Sequence, residues 1–284
     1  MVRVVNKPRS YIVVSLSLHV RHAGSGPPVI LLHGLFGSGA NLGGLSRALR
    51  EHFSVYSLDL PSHGRSQWLQ PLTMSTLTAA VEDGLDHAAY GCAHVVGHSL
   101  GGKVAMELAL SRPGQVASLT VADIAPVAYS ARHDAVFAAL EAVAQARCVS
   151  RESAASLMRE YLVEETVVQF LLTSLVRTGD SVMAWRFDWR GISDAYSSFL
   201  AAPVGGRSYE GPVQFIRGAE SDYIREEHHP AIDVLFPRAS LQVIPGAGHW
   251  LHAEQASAFN ELVLRFLQSV QGEGNGNRNG EGAC

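Results

Sequence analysis

Short apolar runs alternate with helical patterns through the first half of the chain, and this alternation restricts the fold more than any other feature. Buried strands are predicted at 29–32, 53–60, 94–97 and 116–124, with helices at 41–52, 73–89 and 100–110. Continuous apolar runs are typical of strands buried on both faces of a parallel sheet. Because strands and helices that alternate along a chain are joined by right-handed crossovers, the pattern predicts a doubly wound α/β sheet.

The alternation stops after residue 125. Only helical patterns follow until 203, at 135–146, 153–162, 167–176 and 192–200; strands then return at 213–216 and 241–244, and a last helix is predicted over 253–268. We therefore expect an α/β core of residues 10–125 and 204–270. Residues 126–203 would form a helical cap over the strand ends, where such sheets bind ligands. A separately packed helical domain is the alternative, and the Gly-rich tail 271–284 is predicted to be disordered.

Composition excludes several classes of protein. With 284 residues and a net charge of −4, the chain has no basic footprint for nucleic acid, and no apolar run is long enough to span a membrane. The alternating segment 12–20 indicates an edge strand or hairpin, and the start lacks the apolar core of a secretory signal. Cys92, Cys148 and Cys284 have no disulfide-framework or metal-ligand spacing, which favours a reducing, cytoplasmic setting. Nothing indicates an oligomeric state.

A G-x-S-x-G motif joins one predicted strand to the next helix. The motif covers Gly97–Gly101, and its glycines fit a turn so sharp that larger side chains would clash. Ser99 would present its hydroxyl at the turn as a nucleophile. The backbone N–H of Leu100 at the helix start and that of Leu35, in the Gly-rich turn after the first buried strand, would form an oxyanion hole.

A serine nucleophile needs a base, and the base needs an orienting carboxylate. His249 lies in the turn Gly246–Trp250 after the last strand, so we predict that it is the base. Asp123 and Asp222 each end a strand and each give the chain order Ser, Asp, His. Position alone does not choose between them. His33 and His98 are interpreted as structural, and His252 as a surface or capping group.

These motifs together resemble the α/β-hydrolase superfamily over residues 10–270. The matching segments are His33–Ser38, Asp59–Ser66, Gly97–Lys103, Asp123–Pro126 and Gly246–Trp250. More narrowly, the chain looks like the small bacterial esterases of the YbfF type and related abhydrolase domain-containing proteins. The resemblance implies a mostly parallel, eight-stranded, doubly wound sheet, with the helical cap inserted between strands 6 and 7.

The resemblance also bears on the acid. Most of the superfamily carries the acid as Gly-x-x-Asp after the penultimate strand, whereas here Ser221 occupies that place after Gly218 and Asp222 comes one residue late. In the YbfF-like group the acid comes from the Asp-Ile-Ala-Pro segment. The resemblance therefore favours Asp123 over Asp222 and makes Ser221 a helper of His249.

The resemblance implies hydrolysis of acyl esters, with thioesters as a second substrate class. An apolar roof from the insertion predicts acyl chains of short to medium length, and the chemistry implies no metal or organic cofactor. Phe36, Trp185 and Phe199 are predicted to contact the substrate, and Lys103 is interpreted as a structural cation. Three alternatives stay open. They are a carbon–carbon bond hydrolase or a synthase like that of menaquinone biosynthesis, a cofactor-free haloperoxidase or perhydrolase side activity of the same site, and a hydrolase-fold receptor that binds without turnover. The lysine at position 103 argues against the synthase, which would want arginines for a dicarboxylate.

Overall fold

The computed structural model describes residues 17–87, 91–204 and 207–276. Its strands are β1 Val20–Ala23, β2 Pro28–Leu32, β3 Ser54–Leu58, β4 Ala93–His98, β5 Val116–Ala122, β6 Leu175–Arg177, β7 Met183–Trp185, β8 Val213–Gly218 and β9 Ala239–Ile244. Its α-helices are α1 Gly43–Leu49, α2 Met74–His87, α3 Leu100–Ser111, α4 Asp134–Ala146, α5 Arg151–Met158, α6 Glu165–Leu172, α7 Trp189–Leu200, α8 His229–Leu235, α9 Leu251–Glu254 and α10 Ala256–Gly276.

Seven of the described strands form one sheet in the order β1-β3-β2-β4-β5-β8-β9. Strand β1 pairs antiparallel with β3, and all other neighbours are parallel. The predicted α/β-hydrolase fold, with a mostly parallel, doubly wound sheet, is confirmed. Eight strands were expected in this sheet, and seven lie in its described part. Most of the predicted edge segment 12–20 lies before residue 17, outside the described residues.

Alternate side chains of the central strands enter two separate apolar layers. In β2, Val29 and Leu31 pack into the layer that contains residues of α1 and α10, whereas Ile30 and Leu32 pack into the layer formed with α3. Successive side chains of a strand point to opposite faces. A run of four apolar residues is therefore the pattern required by a strand that is covered on both sides.

The insertion between β5 and β8 contains four helices and a short antiparallel hairpin. The predicted helix 167–176 is wrong at its C-terminal end, because α6 stops at Leu172 and β6 pairs with β7. A tight turn reverses the chain there, with the Thr178 N–H donating to the Val182 carbonyl at 2.8 Å. Cap residues such as Leu140 and Leu171 share one apolar cluster with Leu100 of the core, so the insertion packs onto the sheet.

A buried lysine joins both ends of the cap to the core. Lys103, on α3, is 3% exposed. Its ammonium donates to the carbonyl of Val127 at 2.9 Å, to that of Leu200 at 3.2 Å and also to that of Ala201. Burial lowers the pKa of Lys103 to about 8, although the nearby Glu107 carboxylate opposes the shift. These contacts support the structural interpretation of this cation.

The last helix continues beyond the predicted end of the core. Helix α10 runs to Gly276, six residues past position 270, because extending an existing helix costs far less than starting one. The prediction of a disordered tail is thus wrong for 271–276, and 277–284 lie outside the described residues. Across the residues that are described, no helix combines the length and the apolar character needed to cross a bilayer.

Candidate active site

Ser99 lies on a strained turn between β4 and α3. Its backbone has φ 53° and ψ −116°, in the region that non-glycine residues rarely adopt. A Cβ atom at Gly97 would lie 2.2 Å from the carbonyl oxygen of Gly101, and one at Gly101 would lie 2.3 Å from that of Leu32. The glycines of the motif are therefore required by backbone crowding, and the turn presents the Ser99 hydroxyl to the cavity.

His249 connects Ser99 to a buried carboxylate. Its Nε2 is 3.0 Å from Ser99 Oγ, and its Nδ1 is 2.7 Å from Asp123 Oδ2. The ring also stacks on Tyr223, with 3.9 Å between centroids and 19° between planes. Both ring nitrogens thus have partners, and one face of the ring is covered by an aromatic side chain.

The structure brings Asp123, and not Asp222, to the imidazole. Asp123 is fully buried, and its carboxylate accepts hydrogen bonds from the Gly218 N–H at 3.1 Å and from the Ser221 hydroxyl. Asp222 instead forms an ion pair with Arg132 at 2.9 Å, with 65% of its side chain exposed. Ser221 therefore contacts the same carboxylate as His249. The family resemblance implied that Ser221 is a helper of His249.

Two backbone N–H groups beside Ser99 are available to a ligand. Leu35 and Leu100 both line the cavity. In the described part of the chain, neither N–H donates to another protein group. Leu100 is the first residue of α3, where backbone N–H groups lack intrahelical acceptors. The arrangement can hold negative charge that develops on an oxygen near Ser99.

Buried histidines support the loops around the site. His33 accepts the Leu60 N–H at its Nε2 (2.9 Å) and donates from Nδ1 to the Gly34 carbonyl (2.8 Å). The Nε2 of His98 donates to the His249 carbonyl at 2.8 Å. Burial is the largest cause that lowers the pKa of His33, of His98 and of His252. His33 and His98 hold backbone, as expected of structural histidines. His252, predicted to be a surface or capping group, instead packs its ring against His98, with 4.4 Å between centroids.

A cavity of about 520 Å³ opens above Ser99 between the sheet and the cap. Phe36 and Phe199 line it, as predicted. The prediction for Trp185 is wrong, because its ring is only 7% exposed and stacks on Phe187 inside the cap. Its indole N–H donates to the Leu140 carbonyl at 2.9 Å. That internal partner allows the whole side chain to be buried, which the sequence pattern did not reveal.

Several residues that line the cavity were not singled out from the sequence. They are Tyr129, Arg132, His133, Tyr196, Tyr223 and Trp250. Trp250 directly follows His249, the predicted base, which was an available signal. The remaining residues come from the cap and from the loop after β8, and no motif marks them. Only the fold brings these segments beside Ser99.

Comparison with known proteins agrees with the geometry. Residues 29–262 match the model of the alpha/beta hydrolase family. The chain is 37% identical to the esterase YbfF of Escherichia coli over 244 residues, which is 84% of this chain and 92% of that protein. It is 36% identical over 254 residues to the sn-1-specific diacylglycerol lipase ABHD11 of Danio rerio, covering 86% of this chain and 80% of the relative.

A solved structure shares the fold closely. An esterase from a marine microorganism superposes with a TM-score of 0.86 at 33% identity, covering 89% of this chain and all of the other. Both the sequence relatives and this structure are described as enzymes that act on esters or lipids.

Proposed function

The chain belongs to the alpha/beta hydrolase family and is an ester hydrolase, and from this premise we propose that it cleaves acyl esters through Ser99, His249 and Asp123. One observation carries the proposal. Two hydrogen bonds, of 3.0 Å and 2.7 Å, join the hydroxyl, the imidazole and the buried carboxylate in series. A serine hydroxyl is inert at neutral pH unless such a base activates it.

In the acylation step, Ser99 Oγ attacks the ester carbonyl carbon while His249 Nε2 takes the hydroxyl proton. The carbonyl oxygen becomes an oxyanion, which the N–H groups of Leu35 and Leu100 stabilise. His249 then donates the proton to the leaving alcohol as the bond between carbonyl carbon and alcohol oxygen breaks. Asp123 keeps the Nδ1 proton in place and stabilises the charged ring.

In the deacylation step, water repeats the same chemistry on the acyl-enzyme. His249 takes a proton from water, the hydroxide attacks the acyl carbon, and the proton returns to Ser99 as the acid leaves. Ser221 contributes through Asp123, because its hydroxyl donates to the same carboxylate oxygen that accepts from His249. No step needs a metal ion or an organic cofactor.

The substrate class follows from the cavity. A volume of about 520 Å³ is within the range of small-molecule sites. Its lining includes apolar side chains from the core and the cap, such as Phe36, Val167, Phe170 and Phe199. We therefore propose esters of short to medium acyl chains as substrates, with thioesters of the same acyl groups as a second candidate, because attack on a thioester needs the same groups.

The proposal is tested with p-nitrophenyl esters of graded acyl length. The parent enzyme should release a burst of nitrophenol that matches the enzyme concentration, and Ser99→Ala should lose both burst and turnover. Ser111→Ala is the matched control, since Ser111 lies on the exposed end of the same helix and its hydroxyl donates to the Glu82 carboxylate and the Leu108 carbonyl. Full turnover by Ser99→Ala would disprove the mechanism, and no turnover by the parent would favour a receptor.

A further inference from the structure

The cavity contains a second histidine that the proposed mechanism does not use. His133 precedes α4 and Tyr196 lies on α7, and both residues line the cavity. The Tyr196 hydroxyl forms a short hydrogen bond with His133 Nδ1. The two rings meet edge to face, with 5.5 Å between their centroids. The pair therefore forms one rigid polar element in the cap wall.

The partners of Tyr196 define the direction of this hydrogen bond. The Arg132 backbone N–H points at the same hydroxyl at 3.4 Å, and a backbone N–H can only donate. Among the described residues, His133 Nδ1 is the acceptor within reach of the hydroxyl proton. Tyr196 therefore donates and Nδ1 accepts. In a neutral imidazole the proton then lies on Nε2.

The N–H at Nε2 of His133 is open to a ligand. No hydrogen bond joins this nitrogen to another described residue, and the atom is not among the buried polar atoms that lack a partner. Burial is the largest cause that lowers the pKa of His133 to about 4. The ring is thus neutral at the pH of an ordinary assay and keeps a single donor at the cavity surface.

The neighbours of His133 place it on the side of the cavity where His249 lies. The guanidinium of Arg132, the preceding residue, lies 4.8 Å from the Tyr223 ring centroid, and Tyr223 stacks on His249 at 3.9 Å. In ester cleavage the alcohol leaves with a proton from the base. The alcohol part of the substrate therefore occupies the region next to His249.

We propose that His133 Nε2–H donates a hydrogen bond to an oxygen in the alcohol part of the substrate, with Tyr196 as the positioning residue. This inference rests on the proposed esterase function and adds a specificity for the alcohol part of the ester. The enzyme should favour esters of oxygen-bearing alcohols, such as glycol monoethers, over esters of plain alkanols of the same length. Aromatic rings flank the pair, with 6.4 Å between the centroids of Phe36 and His133 and 5.1 Å between those of Phe137 and Tyr196. The Arg132 guanidinium, which also lies here, is paired with Asp222.

Two matched pairs of esters test the inference. The first pair, 2-methoxyethyl butanoate and n-butyl butanoate, differs by one ether oxygen in the alcohol. The second pair, n-butyl 3-methoxypropanoate and n-butyl pentanoate, places the same change in the acyl chain. Each kcat/KM is divided by the rate of hydroxide-catalysed hydrolysis, which removes the intrinsic reactivity of the ester. Burst titration and the melting temperature show that each variant is folded and active.

One neutral hydrogen bond corresponds to a ratio of about 3- to 10-fold between the normalised kcat/KM values of the two esters in a pair. We expect the parent enzyme to show this preference in the first pair and none in the second. His133→Phe should reduce the preference to about 1, whereas His133→Gln, which keeps an N–H donor, should retain most of it. Tyr196→Phe should give an intermediate value, because the ring can then carry its proton on either nitrogen.

Three results would overturn the inference while leaving the esterase function intact. They are a normalised ratio near 1 for the parent in the first pair, an unchanged ratio in His133→Phe, and a preference confined to the acyl pair. Absence of turnover of all four esters and of the p-nitrophenyl esters would instead overturn the proposed function itself, and this inference with it.

Discussion

At the scale of single residues, the acid at the site depends on one position in the loop after β8. Ser221, rather than an aspartate, stands three residues after Gly218, and its hydroxyl contacts the carboxylate of Asp123. Asp123 itself has φ 52°, an unusual conformation that directs a residue following β5 toward His249. Asp222, the residue after Ser221, points outward to Arg132.

We expect Asp123→Asn to lower kcat by about 10³- to 10⁴-fold, because an amide favours the wrong imidazole tautomer. Asp222→Asn is the matched control and should stay within about 3-fold of the parent, since it loses only an exposed ion pair. Steady-state kinetics on p-nitrophenyl butanoate measure both. Similar losses in the two variants would contradict the assignment of Asp123.

Most residues of the candidate site could be predicted from local motifs, because a sharp turn and a strand end leave signatures in the sequence. Ser99, Leu100, His249 and Asp123 lie in such segments. His133 and Tyr196 could not be predicted, since they come from separate segments of the cap and meet only in three dimensions. Trp185 was misassigned because an aromatic side chain looks the same in sequence whether it faces a cavity or a core.

At the scale of secondary-structure elements, the βα alternation predicted the core, and the cap was predicted less well. In a strand, the four apolar side chains of 29–32 are all buried only when the sheet is covered on both faces, so this run predicts a central strand. The segment 173–185 combines β-branched and turn residues over too short a length to separate a helix end from a hairpin. Its pairing with itself and its packing within the cap decide the outcome.

Lys103 controls how the cap is attached to α3. Lys103→Met would leave the carbonyls of Val127, Leu200 and Ala201 without their donor. We expect the free energy of unfolding to fall by about 3 kcal/mol, given the usual cost of losing charged hydrogen bonds in a buried place. Urea denaturation measures the change. Glu107→Gln, which keeps the ammonium and its three acceptors, should cost much less, and equal losses would contradict this role.

At the scale of the whole molecule, the buried histidines make stability depend on pH. Burial lowers the pKa of His63 to about 3 and the pKa values of His94 and His252 to about 4. The unfolded chain has histidine pKa values near 6.5. Between about pH 6.5 and pH 4 the unfolded state therefore binds more protons than the native state, and acid favours unfolding. Above pH 6.5 these groups contribute no pH dependence.

We expect the free energy of unfolding to decrease between pH 7.5 and pH 5.5 by roughly 1 kcal/mol for each of these rings. Urea denaturation at the two pH values measures the decrease. A His94→Gln variant should show a smaller decrease than the parent, because one titrating ring is absent. Equal stability of the parent at both pH values would contradict the neutral state of the buried rings.

The lysine contact has a consequence for how this molecule could diversify. One ammonium is shared by a carbonyl where the chain leaves the sheet and by two where it returns. The two ends of the inserted segment therefore lie close together in space. Evolution or protein engineering could replace the cap with a different insertion between those two points. The shape of the cavity, and with it the range of substrates that fit, would then change. Ser99, beneath this cap, would keep its place.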